Sequence, residues 1–285
     1  MAQPIKPTLT EKIPAPIKSA LALLRRAGFC TYPVGGAVRD LLLGLVPKDW
    51  DIATSARPAD IIRVFSCEKY RIDARGEKFG GIHIKTAGAD AAFEVTTFRR
   101  EADYRDLRRP ETVEFADTAE QDSHRRDFTV NALYLAPSGE VLDYHGGLAD
   151  LNARVIRTIG EPVRRFSEDS LRMFRAVRFC AQLDFSLEEK TREAIILCAD
   201  GAAAVTPGRV CEELTKYLAA KINIAGDSGA FSALPYKARR DALLCAMSRA
   251  FGIPAPQLAP VLGLSARRLA ATDKLFLPDE DYSPS

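Results

Sequence analysis

The sequence is poor in the residues that hold transition metals. It has three histidines (His83, His124, His145) and six widely scattered cysteines (Cys30, Cys67, Cys180, Cys198, Cys211, Cys245), and no two cysteines form a CxxC pair. This spacing argues against a zinc site. Isolated cysteines of this kind are expected in the core as small apolar residues. The opening MAQPIKPTLTEKIP lacks the apolar stretch of a signal peptide, and no run elsewhere approaches membrane-spanning length. A cytoplasmic chain with reduced thiols and no membrane partner is expected. Internal repeats and low-complexity tracts are also missing. The net charge of +2 neither demands nor excludes a nucleic-acid partner, so the distribution of charge has to decide. The length of 285 residues allows one large domain or two small ones.

Composition shifts near residue 160. Before it come short β-like runs broken by Gly and Pro, and after it helical patterns almost without strands. A helix is expected from Ile17 to about Arg26, then strands at Cys30–Val34 and DWDIAT, with a short helix on AVRDLLLG between them. PADIIRVF reads as a helix opened by Pro58, and YRIDA, GGIHIKT and AAFEVTTF as strands with period-2 alternation. RRFSEDSLRMFRAVRFCAQL reads as one long helix with Ser167 as its N-cap. Ser186 and Glu189 suggest a capping box for the next helix, which ends near Gly201, and Thr206-Pro207 suggests the start of another. The fold class is therefore an α+β head, built on a mixed or antiparallel sheet with helices, followed by an all-α body. The expected boundaries are 1–160 for the head, 161–224 for a helical neck, and 225–285 for a short helical region with a disordered end.

The strongest chemical signal is GGAVRDLLLGLVPKDWDIAT. Gly35 and Gly36 have no Cβ to keep a phosphate from backbone amides. Arg39, one turn later, is placed to pair with the same phosphates. Asp49 and Asp51 alternate along a strand, so both carboxylates leave one face while Trp50 and Ile52 enter the core. Two carboxylates on a rigid face suit Mg²⁺, which keeps several waters and shares its coordination with substrate phosphates. A Gly-Gly pair or a DxD alone marks a turn or a solvated strand. Their joint occurrence at this spacing, with a basic residue between them, points to phosphate chemistry.

The pattern GG-x-x-RD…DWDIAT resembles the signature of polymerase-β-type nucleotidyltransferases in their tRNA CCA-adding and bacterial poly(A) polymerase branch. EVTTFR (Glu94–Arg99), RRDFTVNAL (Arg125–Leu133), DYHGGLADL (Asp143–Leu151) with IRTIG, and EDSLRMFRAVRF (Glu168–Phe179) follow in the order that family uses. The resemblance covers roughly residues 30–215. It implies a template-independent enzyme that adds C and A to tRNA 3′ ends from CTP and ATP with Mg²⁺, releasing pyrophosphate. The catalytic residues implied are Asp49, Asp51 and Glu94, with Asp49 and Asp51 as metal ligands. Arg126 and Asp127 match the pair that contacts the nucleotide. An A-adding enzyme or poly(A) polymerase, and a catalytically silent RNA-binding relative, are the alternatives. The intact carboxylate pair speaks against the silent form.

Asp169 and Arg172 are spaced i, i+3 and would project from one helix face. A carboxylate accepts from an exocyclic amine and a guanidinium donates to a ring nitrogen or carbonyl oxygen. Such a pair would accept the Watson–Crick edges of cytosine and adenine and refuse those of uracil and guanine. Arg175 and Arg178 continue the series toward triphosphate or base, while Leu171, Phe174 and Val177 form the core face. The mixed-charge READYRDLRRPETVEF resembles the family's flexible loop, which helps the site move from C to A addition. RNA contacts are expected from Arg105, Arg108, Arg109 and Lys216, with Arg99, Arg100, Arg164, Arg165, Lys221 and Lys237 beside them. Family members usually continue well beyond the segment after VCEEL, so the grip on tRNA is an open expectation, as is the oligomeric state.

Overall fold

The computed structural model describes residues 9–87, 91–101 and 113–206, together with 209, 210, 212, 213 and 216. Two compact units divide it, and the chain passes from the first to the second between Ala153 and Arg154. The expected 225–285 region lies outside the described residues.

The first unit opens with α1 (Ala15–Arg26), which has a proline in its first turn and arginines in its last. Its Ile17, Ala20, Leu21 and Leu24 recur at helical spacing and are buried. There follow β1 (Thr31–Val34), α2 (Gly36–Leu42), β2 (Asp51–Thr54) and α3 (Pro58–Phe65). Then come β3 (Tyr70–Asp73), β4 (Gly81–Thr86), β5 (Ala92–Thr97), β6 (Arg99–Glu101) and β7 (Val113–Phe115). α4 (Ala119–Ser123), β8 (Leu133–Leu135), β9 (Val141–Asp143) and α5 (Gly147–Ala153) complete the unit.

Seven strands form one mixed sheet in the order β3-β4-β5-β2-β1-β8-β9. The β2–β5 pairing is parallel and its neighbours are antiparallel. Alternation sorts the side chains onto two faces. Ile52, Ile82, Ile84, Phe93, Val95, Leu133 and Leu135 join residues of α1, α2 and α3 in the larger core. Val34, Ala53 and Tyr134 point to the other face, where Phe98, Ala116 and Ala119 meet them in a smaller cluster. β6 and β7 pair separately as a short antiparallel ladder, so the ends of the expected mixed-charge loop are strand; residues 102–112, which hold Arg105, Arg108 and Arg109, lie outside the described residues.

The second unit holds β10 (Val155–Ile156), α6 (Pro162–Glu168), α7 (Leu171–Leu183), β11 (Ser186–Leu187) and α8 (Glu189–Leu197). The expected all-α body thus contains a two-residue parallel ladder, β10 with β11. The single long helix expected from Arg164 is two helices. Glu161, not Ser167, caps α6 by accepting from the Arg164 amide; Ser167 lies inside α6 and donates to the Val163 carbonyl. The chain breaks at Asp169, whose backbone is extended at φ −151, ψ 102. Glu188, not Ser186, caps α8 by accepting from the Thr191 amide. Leu171, Phe174 and Val177 are buried as expected. Cys30 and Cys67 are exposed, so the expectation of core cysteines fails for both. Among the described residues no helix is long and apolar enough to cross a membrane.

Candidate active site

The parallel register sets Asp51 of β2 directly beside Glu94 of β5, and the antiparallel register sets Val34 of β1 on its other side. A cleft of about 310 Å³ opens over this part of the sheet. Asp51, Glu94 and Thr96 line it from the strands, and Arg99, Arg125 and Arg126 from the segments that follow. Residues far apart in sequence are therefore brought into one concavity lined by both carboxylates and guanidiniums. Asp49 sits in the bend just before β2, exposed, and is not part of that lining. Trp50 and Ile52 are buried, at 6% and 0% exposure, as strand alternation requires. Among the described residues no group of three or more His, Cys, Asp and Glu side chains is placed to hold a metal ion.

Gly35 precedes α2 with φ +76 and ψ −136, a conformation open to glycine and strained for other residues. A Cβ added there would stand 3.7 Å from both Arg126 Nη1 and Asp51 Oδ2, so the turn lies beside both side chains. Gly36 begins α2, and Arg39 is its closest side-chain neighbour. Arg39 itself does not present an idle guanidinium to a phosphate. It is 3% exposed, donates through Nε and Nη2 to Asp40 Oδ1 at 2.9 and 2.7 Å, and through Nη1 to Asn131 Oδ1 at 2.6 Å. That places it as a brace between α2 and the turn after Asp127.

Arg126 lies over the Tyr134 ring, 5.1 Å from its centroid, and donates through Nε to the Tyr134 hydroxyl at 2.9 Å. Its Nη2 donates to Asp122 Oδ2 at 3.0 Å. Burial acts to raise the Asp122 carboxyl, but Arg125, Arg126 and the Tyr134 hydroxyl outweigh it and bring the pKa down to about 2. Burial, with the Asp122 charge, pushes the Tyr134 hydroxyl upward. Asp127 is half-buried, and its Oδ1 accepts from the Phe128 amide at 2.8 Å.

In the second unit Asp169 and Arg172 do not share a helix face. Asp169 is bound in the break before α7, where Oδ1 accepts from the Leu171 amide at 3.1 Å and the carboxylate takes a bidentate pair from Arg209 at 3.1 and 2.8 Å. Arg172 is 6% exposed and donates through Nη1 to the Arg165 carbonyl and to Glu168 Oε2, both at 2.8 Å. Glu168 also receives Arg164 and Arg165. Arg175 and Arg178 both reach Glu213, at 3.4 and 2.5 Å, and Arg178 stacks 3.9 Å over Phe179. Lys216 is exposed, as is Arg164, whereas Arg165 is buried.

The family described as the poly(A) polymerase head domain matches residues 31–157. A CCA-adding enzyme of Geobacillus kaustophilus is 43% identical over 237 residues, covering 80% of this chain and 57% of the relative. One from Geobacillus thermodenitrificans is 46% identical over 207 residues, covering 72% of this chain and 50% of the relative. A crystal structure of the Bacillus stearothermophilus CCA-adding enzyme in complex with CTP superposes with a TM-score of 0.66 at 32% identity, covering 97% of this chain and 68% of that one. The chain belongs to the CCA-adding enzyme family. It spans about half the length of the curated relatives it matches.

Within that family frame, the residue that sequence reasoning missed is Asp122. In AEQDSHRRDF it looks like one more charge in a polar turn. The available signal was its spacing: Asp122 precedes Arg125 and Arg126 by three and four positions, which lets one carboxylate reach both.

Proposed function

We propose that this chain is a template-independent RNA nucleotidyltransferase that adds C and A residues to tRNA 3′ ends from CTP and ATP, with Mg²⁺, releasing pyrophosphate. One observation carries the reading beyond family membership. The head cleft sets Asp51 and Glu94 against Arg99, Arg125 and Arg126, the lining that a metal-bound triphosphate requires. The donor set fits Mg²⁺ and not a softer ion: it is carboxylate oxygen, and one or two carboxylates suffice for an ion that takes the rest of its shell from water and phosphate. Asp49 and Asp51 would hold the ion. When bound it would lower the pKa of the RNA 3′-hydroxyl and neutralise charge on the leaving pyrophosphate.

The chain's own residues do the rest. The turn at Gly35 and Gly36 leaves backbone close to the cleft, and Arg39 braces α2 through Asp40 and Asn131. Arg125 and Arg126 offer positive charge to the nucleotide, with Asp127 beside them for a ribose hydroxyl. The 3′-oxygen forms its bond to the α-phosphorus as the bond from that phosphorus to the β-bridging oxygen breaks, and the hydroxyl proton passes to water. Asp169 and Arg172 would read the base after exchanging their present partners, Arg209 and Glu168.

The test is direct. Purified protein is incubated with Mg²⁺, each labelled nucleotide, and tRNAs ending before CCA, after CC, or complete. A CCA-adding enzyme extends the first two and stops at the third. Extension of the CC-ended tRNA alone identifies an A-adding enzyme, and a growing tail on the complete tRNA a poly(A) polymerase. No incorporation on any of the three rejects the proposed reaction.

A further inference from the structure

Among the described residues, the Asp122 carboxylate touches all three arginines that line the cleft. Its Oδ1 accepts from the Arg99 amide at 3.2 Å and from Arg125 Nε at 2.7 Å. Its Oδ2 accepts from Arg126 Nη2 at 3.0 Å and from the Tyr134 hydroxyl at 2.7 Å. Because Arg126 Nε donates to that same hydroxyl, Asp122, Arg126 and Tyr134 form a closed triangle. Asp122 and Tyr134 are both 0% exposed. Tyr134 is fixed in turn by the sheet, where it stands opposite Val34 of β1.

We infer that Asp122 and Tyr134 are positioning residues for the nucleotide: they hold the guanidiniums of Arg125 and Arg126 in place, so that a nucleoside triphosphate meets a preformed cationic wall. The inference rests on the reading of the cleft as the triphosphate site. A free arginine carries roughly 2 kcal/mol of side-chain rotamer entropy, which a ligand would otherwise have to overcome by ordering it. One carboxylate is shared between two guanidiniums, so this anchor brings one negative charge for two positive ones. Only a hydroxyl at the Tyr134 position can accept from Arg126 and donate to Asp122 at once. A phenylalanine would fill the same space and keep the ring under the guanidinium, yet close neither side of the triangle.

Tyr134→Phe in the full chain is the decisive variant, because it keeps the buried ring. Binding of CTP and ATP is measured by calorimetry with Mg²⁺, alongside KM, kcat and the thermal midpoint. The expected result is binding weaker by about tenfold, the scale of one charged hydrogen bond, with KM raised by the same factor and kcat within about twofold. Asp122→Asn should weaken binding further, and on an Arg126→Ala background should cost clearly less than on the wild-type one, because only the share that runs through Arg125 is left. The proposal is overturned if Tyr134→Phe lowers the thermal midpoint but leaves nucleotide affinity and KM unchanged. It is equally overturned if Asp122→Asn costs as much without Arg126 as with it. If the wild-type chain binds nucleotides without incorporating them, the proposed reaction fails and the positioning role is still decided by the affinities. If it binds neither CTP nor ATP, both fail.

Discussion

Asp122 in the first unit and Glu168 in the second each gather basic side chains three or four positions away, yet the two clusters differ in kind. Glu168 takes Arg164 and Arg165 from the turn before it and Arg172 from the turn after it. Among the described residues its partners are local; Arg164 is largely solvent-exposed, while Arg165 and Arg172 are buried. Asp122 takes Arg125 and Arg126 at similar spacing, but adds the Arg99 amide and the Tyr134 hydroxyl from other elements, at full burial. The exposed pair of Arg164 with Glu168 contributes about 0.3–0.5 kcal/mol, whereas removing one partner of a buried ionic cluster costs roughly 3–5 kcal/mol; Arg165 and Arg172 are themselves buried against Glu168. Equal spacing in sequence therefore does not mean equal worth. Long-range donors and burial decide.

The largest expected effect lies on the chemistry of the first unit. Asp51→Ala should reduce nucleotide incorporation by at least a hundredfold, equivalent to about 2.7 kcal/mol of transition-state stabilisation. The fold should survive, because the core contacts at this point belong to Trp50 and Ile52. Activity within about tenfold of wild type, with the circular dichroism unchanged, would remove Asp51 from the site.

The second prediction tests whether the other unit carries selectivity. If Asp169 reads the base, Asp169→Ala should raise UTP incorporation relative to CTP, since discrimination by buried hydrogen-bonding groups can reach the order of 10⁴-fold. The bidentate Arg209 pair offers the competing role of a brace at the helix break. Incorporation ratios for all four nucleotides decide between them. An unchanged preference for CTP over UTP would assign Asp169 to bracing alone.

Third, Gly35→Ala should destabilise the chain by about 1–3 kcal/mol, the cost of holding a non-glycine residue in this backbone region. Space is not the obstacle, because the closest atoms to an added Cβ are 3.7 Å away. A urea titration showing no loss of stability would mean that the turn relaxes freely and that its positive φ does not require glycine.

Much of this was legible in the sequence because the signals are periodic. α3 begins at Pro58 as expected, and Ile82, Ile84, Phe93 and Val95 alternate into the core as their strands require. The family resemblance named Asp51 and Glu94 together, but the parallel register that sets them side by side is a property of the sheet order. Three features escaped. The break at Asp169 interrupts a run of helix-compatible residues, and it is made by a side chain that bonds the Leu171 amide locally and Arg209 from 40 residues away. Arg39 looked like a phosphate ligand, and its engagement by Asn131 is a contact across 92 residues. Asp122 belongs to no motif, and its burial comes from the Tyr134 side of the sheet. Periodicity reports which face a residue takes. It does not name the partner waiting there.

The smallest expected effect is a change of slope in acid, and it separates the two carboxylate clusters. The Asp122 carboxyl is held at about 2, below its ordinary 3.8. Between these values the unfolded chain binds the proton and the folded chain does not. Its contribution to stability is therefore complete above about pH 4 and is lost as pH falls toward 2. Glu168 shifts in the same direction from 4.5, because Arg165 and Arg172 outweigh a burial that alone would raise it. Its contribution is likewise present above pH 4.5 and lost below. A single group changes the slope by at most about 1.4 kcal/mol per pH unit. Stability measured in urea between pH 5 and 2.5 should show a flatter acid limb for Asp122→Asn. For Glu168→Gln the limb should flatten less, because its donors all come from neighbouring turns, and only the share of the exposed Arg164 should shrink in high salt. If Glu168→Gln flattens the limb as much as Asp122→Asn does, burial and long-range donors are not what distinguishes the clusters.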